Sequence, residues 1–218
     1  MDVEKSVGSN RMVLLLIAGI PVTVILVATW LWYYVVNGEL DLVAALGTSN
    51  SGSLVQPPRQ LEEVSLADEA ALPLKYSELE RRWRFLIPGG KNCDQVCESS
   101  LYTTRQIHIA MGKEFNRIRR IYLSDTPAAD TMMNIDYLSD LQPAPESFTE
   151  FLASQHRGMK VMTLSSTDHQ TLLREYAIEP SSWYLVDPNG WIMMTYDHTV
   201  DYKGVMSDLK FLLKNSSE

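Results

Sequence analysis

The sequence predicts an α/β domain carried by one N-terminal transmembrane helix. Three observations support this prediction: an uncharged stretch at residues 12–36, an alternation of strand and helix patterns beyond residue 61, and a hairpin signal at residues 187–190. The chain has 218 residues, of which 45% are hydrophobic and 21% are charged. This composition is typical of a folded chain, so it excludes wholesale disorder and indicates one domain of ordinary size.

The uncharged stretch at residues 12–36 is long enough to cross a membrane, because a spanning helix needs about 20 apolar residues. Trp30, Trp32, Tyr33 and Tyr34 stand at its C-terminal end, where an aromatic belt meets the lipid headgroups. A cleaved signal peptide is the alternative, but its apolar region is about 7–15 residues long and is followed by small residues. We therefore predict a retained anchor.

The charges around the anchor predict its orientation. Lys5 and Arg11 precede the apolar stretch, whereas Glu39 and Asp41 come after it. Because positive charge favours the cytoplasmic side, we expect residues 1–11 to form a cytoplasmic tail and the domain to lie outside the cytoplasm. The few arginines at the start do not suggest a mitochondrial presequence, so we expect the cytoplasmic membrane of a bacterium and a periplasmic domain.

A flexible tether is predicted at residues 37–60, between the anchor and an exported domain at residues 61–218. Residues 47–53 are small and polar, and Pro57 and Pro58 stiffen the end of the tether. The formal net charge of the chain is −8. Nucleic-acid binders normally carry a basic surface, so we do not expect nucleic acid as a partner.

The elements of the domain are predicted from the spacing of its apolar and turn residues. The predicted strands cover residues 61–66, 83–87, 119–123 and 160–164. The predicted helices cover residues 98–115, 146–155 and 168–176, the last with Ser166 as N-cap, and a C-terminal helix presents Val205, Leu209 and Leu212 on one face. Two strands at 183–186 and 191–195 flank the turn and form a hairpin. This order predicts an α/β sheet with a parallel portion and an antiparallel edge.

Cys93 and Cys97 are the two cysteines of the chain, and they lie between a Pro-Gly-Gly loop and a predicted helix. Their spacing places both sulfurs within one helical turn, where they can form a disulfide or together bind a metal ion. Backbone amides at a helix start also stabilise a thiolate, which suits thiol exchange or soft-metal binding. A purely structural disulfide is the alternative, although so small a ring removes little chain entropy. Zinc is a weaker candidate, because a structural zinc site needs four ligands.

With this motif the sequence resembles the Sco-type cytochrome oxidase assembly proteins, which are membrane-anchored thioredoxin-fold domains with a CxxxC motif. The resemblance covers roughly residues 60–214 and rests on Cys93-x-x-x-Cys97, Ser124-Asp-Thr-Pro127 and Trp183-Tyr-Leu-Val-Asp-Pro-Asn-Gly190. It implies a thioredoxin-like fold, and it implies copper handling or thiol reduction for the dinuclear copper site of oxidase subunit II.

One departure from the Sco pattern concerns copper. Sco proteins complete their copper site with a histidine shortly before the penultimate strand. The corresponding place here is near Glu179, and residues 178–182 contain no histidine. A carboxylate is a poor Cu(I) ligand. Pro180 stands where thioredoxin-like oxidoreductases carry a cis-proline, and it is either a feature of the redox site or a strand-edge proline.

The four histidines differ in their suitability as further metal ligands. His108 lies beyond Cys97 at a distance of about 16 Å along a helix, too far to share a metal with it. His156 and His169 are expected at the surface. His198, after the last strand, is the first candidate for a third ligand.

Two pairs of adjacent methionines, Met132–Met133 and Met193–Met194, also contain soft sulfur atoms. Adjacent residues of a strand point to opposite faces, so a pair cannot present both sulfurs together. Core packing is therefore expected for both pairs.

The predicted chemistry is thiol–disulfide exchange, which makes the chain a candidate thiol–disulfide oxidoreductase. We expect Cys93 to attack a partner disulfide, because the first cysteine of such motifs is usually the more exposed, and Cys97 to resolve the mixed disulfide. The alternatives are a Cu(I) chaperone that holds the ion through Cys93 and Cys97, and a non-catalytic accessory or docking subunit. The expected partners are oxidase subunit II or another respiratory assembly factor, together with the membrane.

Overall fold

The computed structural model describes residues 2–36, 50–165, 181–197 and 200–216. The chain forms two compact units, which cover residues 1–49 and 50–218. The first unit contains helix α1 (Asp2–Val36). Within α1, the stretch Leu15–Tyr34 is long and apolar enough to cross a membrane. The helix predicted at residues 12–36 is confirmed, and it begins earlier, within the predicted tail.

The frame of the second unit is an eight-stranded sheet. Its strands are β1 (Ser53–Gln60), β2 (Ser65–Ala67), β3 (Pro73–Lys75), β4 (Trp83–Pro88), β6 (Ile118–Ser124), β8 (Lys160–Thr163), β9 (Trp183–Val186) and β10 (Trp191–Tyr196). Their order across the sheet is β1-β10-β9-β4-β6-β8-β2-β3. Two further strands, β5 (Asn92–Cys93) and β7 (Met132–Met133), form a separate parallel pair.

The centre of the large sheet is parallel and its flanks are antiparallel, as predicted. Strand β6 runs parallel to both β4 and β8, whereas β9 runs antiparallel to β4 and pairs with β10 in a hairpin. Every residue of β4 and of β9 is buried. Central strands covered on both faces must be largely apolar, which explains the aromatic and branched runs that predicted them.

Three helices are described in this unit: α2 (Gln95–Ala110), α3 (Phe148–Gln155) and α4 (Tyr202–Asn215). Helix α2 begins at Gln95 rather than at residue 98, and it ends at Ala110 rather than at residue 115. Beyond the end lies Gly112, whose positive φ of 56° turns the chain into a 3₁₀ segment. The helix predicted at residues 168–176 and its N-cap Ser166 lie outside the described residues.

The tether predicted at residues 37–60 extends too far along the chain, into residues that belong to the sheet. Residues 53–60, expected to be flexible, form β1 at the edge of the sheet, where Ser53 pairs with Thr195 and Gln60 with Trp191. The pairing is irregular between Leu54 and Arg59, the interval that contains the two prolines. An edge strand tolerates proline because its outer N–H groups need no partner in the sheet. The strand predicted at 61–66 is short and begins only at Ser65. Residues 37–49 lie outside the described part.

The start of the domain is tied to its last helix by one buried carboxylate. Asp208 of α4 accepts hydrogen bonds from the backbone N–H groups of Ser51 (2.9 Å) and Gly52 (3.0 Å) and from the hydroxyl of Tyr196 (3.2 Å). A Cβ on Gly52 would lie 2.4 Å from the ring of Tyr196, so only glycine permits this close approach. The domain thus includes residues that the sequence assigned to the tether.

Candidate redox and metal site

Cys93 and Cys97 form a disulfide at the beginning of α2. Cys93 is the last residue of β5, and Cys97 lies in the first turn of the helix. Their Cα atoms are 5.1 Å apart, within the usual range for a disulfide. The two cysteines that the sequence singled out are therefore brought together, in their oxidised state.

The loop that leads from β4 to Cys93 passes close to the neighbouring strand. The N–H of Gly89 donates to the carbonyl of Leu123 in β6 (2.8 Å). A Cβ at this position would lie 1.9 Å from the ring of Tyr122, so a glycine is required. The Pro-Gly-Gly sequence thus fixes the path of the chain before the first cysteine.

Asp94, between the two cysteines, caps α2. Its backbone is extended, and its side chain accepts hydrogen bonds from the N–H groups of Val96 and Cys97, each 3.1 Å long. The cap satisfies two donors that a helix start would otherwise leave unpaired. It also places a carboxylate 3.1 Å from the backbone nitrogen of Cys97, where its negative charge opposes the thiolate that the helix N-terminus favours.

The two sulfurs differ in their access to solvent. Cys93 is completely buried, at 0% exposure, and belongs to the main apolar cluster, whereas Cys97 is partly exposed at its margin. The expectation that Cys93 is the more exposed cysteine is therefore wrong. The physical reason is that Cys93, at the end of β5, packs inside the main apolar cluster, while Cys97, in the first turn of α2, lies at the margin of that cluster.

The strand that pairs with the Cys93 strand is β7. Cys93 pairs with Met133 in parallel register, and Asn92 pairs with Met132. Two backbone hydrogen bonds fix this register: Met132 N–H donates to Lys91 (2.9 Å), and Asn134 N–H donates to Cys93 (2.9 Å). The first cysteine is therefore held by a segment that lies some forty residues later in the chain.

Glu98, directly after Cys97, is buried to 1% exposure although it carries a carboxylate. It accepts hydrogen bonds from the backbone N–H of Ser139 (3.0 Å) and from the hydroxyl of the same residue (2.5 Å). The amide of Gln95 adds a further bond of 3.3 Å. Glu98 thereby fastens the loop after β7 to the first turn of α2.

The two described histidines are engaged elsewhere. His108 lies on α2, where its ring stacks on Phe115 and Nε2–H donates to the carbonyl of Phe115 (2.9 Å). His156 is 3% exposed, and Arg120 Nη2 donates to its Nδ1 (3.0 Å). Burial, with help from the cations of Arg120 and Arg105, lowers the pKa of His156 to about 3. The expected surface position of His156 is therefore wrong, because the histidine fills a buried place beside an arginine.

The remaining candidates of the sequence, His169, Glu179, Pro180 and His198, lie outside the described residues. Among the residues that are described, no group of three or more His, Cys, Asp or Glu side chains is placed to hold a metal ion. Two neighbouring cysteine sulfurs nevertheless suit a soft ion such as Cu(I), once they are reduced.

Sequence reasoning missed the contributions of Met133, Glu98 and Ser139. A glutamate that follows a cysteine looks like an ordinary surface residue in the sequence. A methionine in a short segment looks like an ordinary core residue. The only sequence feature that could have pointed to Met133 is its soft sulfur atom. The pairing with Cys93 then identifies Met133, and not Met132, as the methionine beside the cysteine.

Comparison with solved structures confirms the thioredoxin-like fold. Yeast Sco1 matches with a TM-score of 0.57 at 15% identity, over 75% of this chain and 99% of that one. Copper-bound ScoI from Arabidopsis thaliana matches with a TM-score of 0.53 at 15% identity, over 76% and 99%. BsSco, a member of the Sco family of cytochrome c oxidase assembly proteins in which a disulfide switch was identified, matches with a TM-score of 0.52 at 16% identity, over 73% and 96%. The resemblance to Sco proteins is thus confirmed in the fold.

No curated protein matches the chain by sequence. A family model described as "Transmembrane-like, thioredoxin-like, C-terminal domain" matches residues 83–216, which is more than half of the chain. The apolar helix α1 and this family together fit a single-pass membrane anchor. The chain belongs to the family of transmembrane-like proteins with a thioredoxin-like C-terminal domain.

Proposed function

We propose that this protein is a membrane-anchored thiol–disulfide exchange factor in the assembly of cytochrome c oxidase. The observation that carries the proposal is the Cys93–Cys97 disulfide at the beginning of α2, in which Cys97 is partly exposed and Cys93 is buried. A disulfide that closes so small a ring adds little to stability, so its value lies in its chemistry.

The difference in exposure assigns the roles of the two sulfurs. In the reduced protein, the Cys97 thiolate attacks one sulfur of a partner disulfide, forms a mixed disulfide and releases the other partner sulfur as a thiolate. The Cys93 thiolate then attacks Cys97, which closes the Cys93–Cys97 bond and releases the second partner sulfur. The protein loses two electrons, and the partner disulfide gains them. This order reverses the one expected from sequence, because Cys93 is buried.

The partner we propose is the copper-binding part of oxidase subunit II, or another respiratory assembly factor. The support is the Sco fold, since BsSco belongs to a family of cytochrome c oxidase assembly proteins. We further propose a bacterial cytoplasmic membrane, with residues 1–11 in the cytoplasm and the domain at the periplasmic side. The distribution of Lys5 and Arg11 before the anchor and of Glu39 and Asp41 after it supports this orientation.

The direct test uses the reduced full-length chain in detergent and the soluble domain of oxidase subunit II with its copper-site cysteines oxidised. We expect one disulfide of subunit II to be reduced for each chain that is oxidised, as followed by alkylation and mass spectrometry. A Cys93→Ser, Cys97→Ser double variant is the control and should transfer nothing. If the double variant supports oxidase assembly in cells as well as the wild type does, the chain is an accessory docking subunit instead.

A second candidate function is the delivery of Cu(I) as cargo. The observation that favours it is the proximity of two soft sulfur donors at the beginning of α2, on residues whose Cα atoms are 5.1 Å apart and of which Cys97 is partly exposed. The reduced cysteines would hold the ion as thiolates, so binding would release protons. Cu(I) titration of the reduced full-length chain, with the double serine variant as control, separates this function from exchange alone.

A further inference from the structure

The β5–β7 pair gives the two adjacent methionines different positions. Successive residues of a strand point to opposite faces, so Met132 and Met133 cannot lie on the same side. Met132 is 52% exposed, whereas Met133 is partly buried and packs against the apolar cluster that contains Cys93. The methionine that turns inward is therefore the one on the side of the first cysteine.

The parallel register brings Met133 beside Cys93. The two residues are direct partners across the pair, and paired residues of neighbouring strands share a face at the strand spacing of about 4.8 Å. The hydrogen bonds from Met132 to Lys91 and from Asn134 to Cys93 hold the register on both sides of the partners. A methionine side chain has three rotatable bonds, so its sulfur can adjust over several ångströms without a change of backbone.

The chemistry of this neighbourhood suits Cu(I). Thioether and thiolate sulfurs are soft ligands, and a thioether binds without losing a proton. The described alternatives are engaged, because His108 donates to Phe115 and His156 accepts from Arg120. In the described part of the chain, no third cysteine, histidine or carboxylate completes a ligand group with the pair.

We propose that Met133 is the third Cu(I) ligand, beside the reduced Cys93 and Cys97. The proposal rests on the Cu(I) function given above as the second candidate. Two thiols lose their protons, and the two thiolates and the thioether of Met133 then bind one Cu(I) ion. A dithiol or phosphine must first reduce the disulfide by two electrons. Met133 would thus stand in for the histidine that the Sco pattern leads us to expect and that residues 178–182 lack.

The test compares two isosteric substitutions at adjacent positions, Met133→Leu and Met132→Leu. Leucine conserves volume and apolar character but has no sulfur, so both variants should fold. The full-length proteins in detergent are reduced with a phosphine without oxygen and titrated with Cu(I) against bicinchoninate. We expect Met133→Leu to lower the Cu(I) affinity by about 10- to 100-fold, and Met132→Leu to leave it unchanged.

X-ray absorption at the copper edge supplies a readout that does not depend on affinity. We expect three sulfur neighbours in the wild type and in Met132→Leu, and two in Met133→Leu. Three sulfur neighbours and full affinity in Met133→Leu would overturn the proposal, as would a nitrogen neighbour in the wild type. Both of these results leave the Cu(I) function standing. Absence of binding by the wild type, at the level of the double serine variant, would instead refute the Cu(I) function and Met133 with it.

Discussion

The carboxylate of Glu98 and the backbone N–H of Ser139 are joined by a 3.0 Å hydrogen bond that connects the residue after Cys97 to a loop forty-one positions later. The hydroxyl of Ser139 donates to the same carboxylate. This loop comes directly after β7, and β7 pairs with the strand that contains Cys93. Glu98 therefore links the surroundings of both cysteines: it belongs to the helix that carries Cys97, and it binds the loop that follows the strand paired with Cys93.

We expect Glu98→Gln to lower the free energy of unfolding by about 1–3 kcal/mol, because a buried carboxylate with three donors is replaced by an amide that brings donors of its own. Urea unfolding of the oxidised protein measures the loss, and amide hydrogen exchange locates it at residues 134–144. Glu146→Gln is the matched control, since Glu146 is an exposed carboxylate near the far end of the same loop. Equal effects of the two substitutions would contradict the role of Glu98.

The reduced cysteines should differ in reactivity. Because Cys97 is partly exposed and Cys93 is buried, we expect iodoacetamide to modify Cys97 about tenfold faster or more. Mass spectrometry of peptides after short labelling gives both rates, and the rates should converge in urea.

For the same reason Cys93→Ser, which keeps Cys97 and removes the resolving thiol, should accumulate a mixed disulfide with the partner. Accumulation with Cys97→Ser alone would restore the order expected from sequence.

Asp94 caps α2 and also places a negative charge near Cys97, and two substitutions separate these effects. Asp94→Ala removes the bonds to Val96 and Cys97, so we expect a stability loss of about 1 kcal/mol. Asp94→Asn retains a capping oxygen, so it should be close to the wild type in stability. Both variants remove negative charge beside the sulfurs and should raise the alkylation rate of Cys97 at fixed pH. If only Asp94→Ala reacts faster, the loosened helix start, and not the charge, controls reactivity.

The buried His156 should make stability depend on pH. Its folded pKa of about 3 lies below the ordinary value of 6.5, so the unfolded chain binds the additional proton between these values. The contribution of the neutral, buried His156 to the free energy of unfolding is fully present above about pH 6.5. It is lost as the pH falls towards 3, at about 1.4 kcal/mol per pKa unit. His156→Gln keeps an acceptor for Arg120 and does not titrate. We expect urea unfolding of this variant to lose less stability than the wild type between pH 7 and pH 4, and equal losses would refute the assignment.

The helices and central strands could be predicted because their signals are local. The runs at residues 83–87 and 119–123, the turn at residues 187–190 and the apolar face of α4 each depend on neighbours within a few residues. They correspond to β4, β6, the β9–β10 hairpin and α4. By contrast, β1 contains two prolines and carries no strand signal of its own. It forms because β10 offers an edge with which it can pair.

The sequence by itself determined the apolar segment, the α/β order of elements and the pair Cys93 and Cys97, since each is written in adjacent or closely spaced residues. The tertiary structure alone decided that Cys93 is buried, that Cys97 is partly exposed and that Met133 stands beside Cys93. These properties arise where β5 meets β7 and Glu98 meets Ser139, about forty residues apart in the chain. Pairing over such a distance depends on how the whole sheet closes, and no local pattern of residues records it.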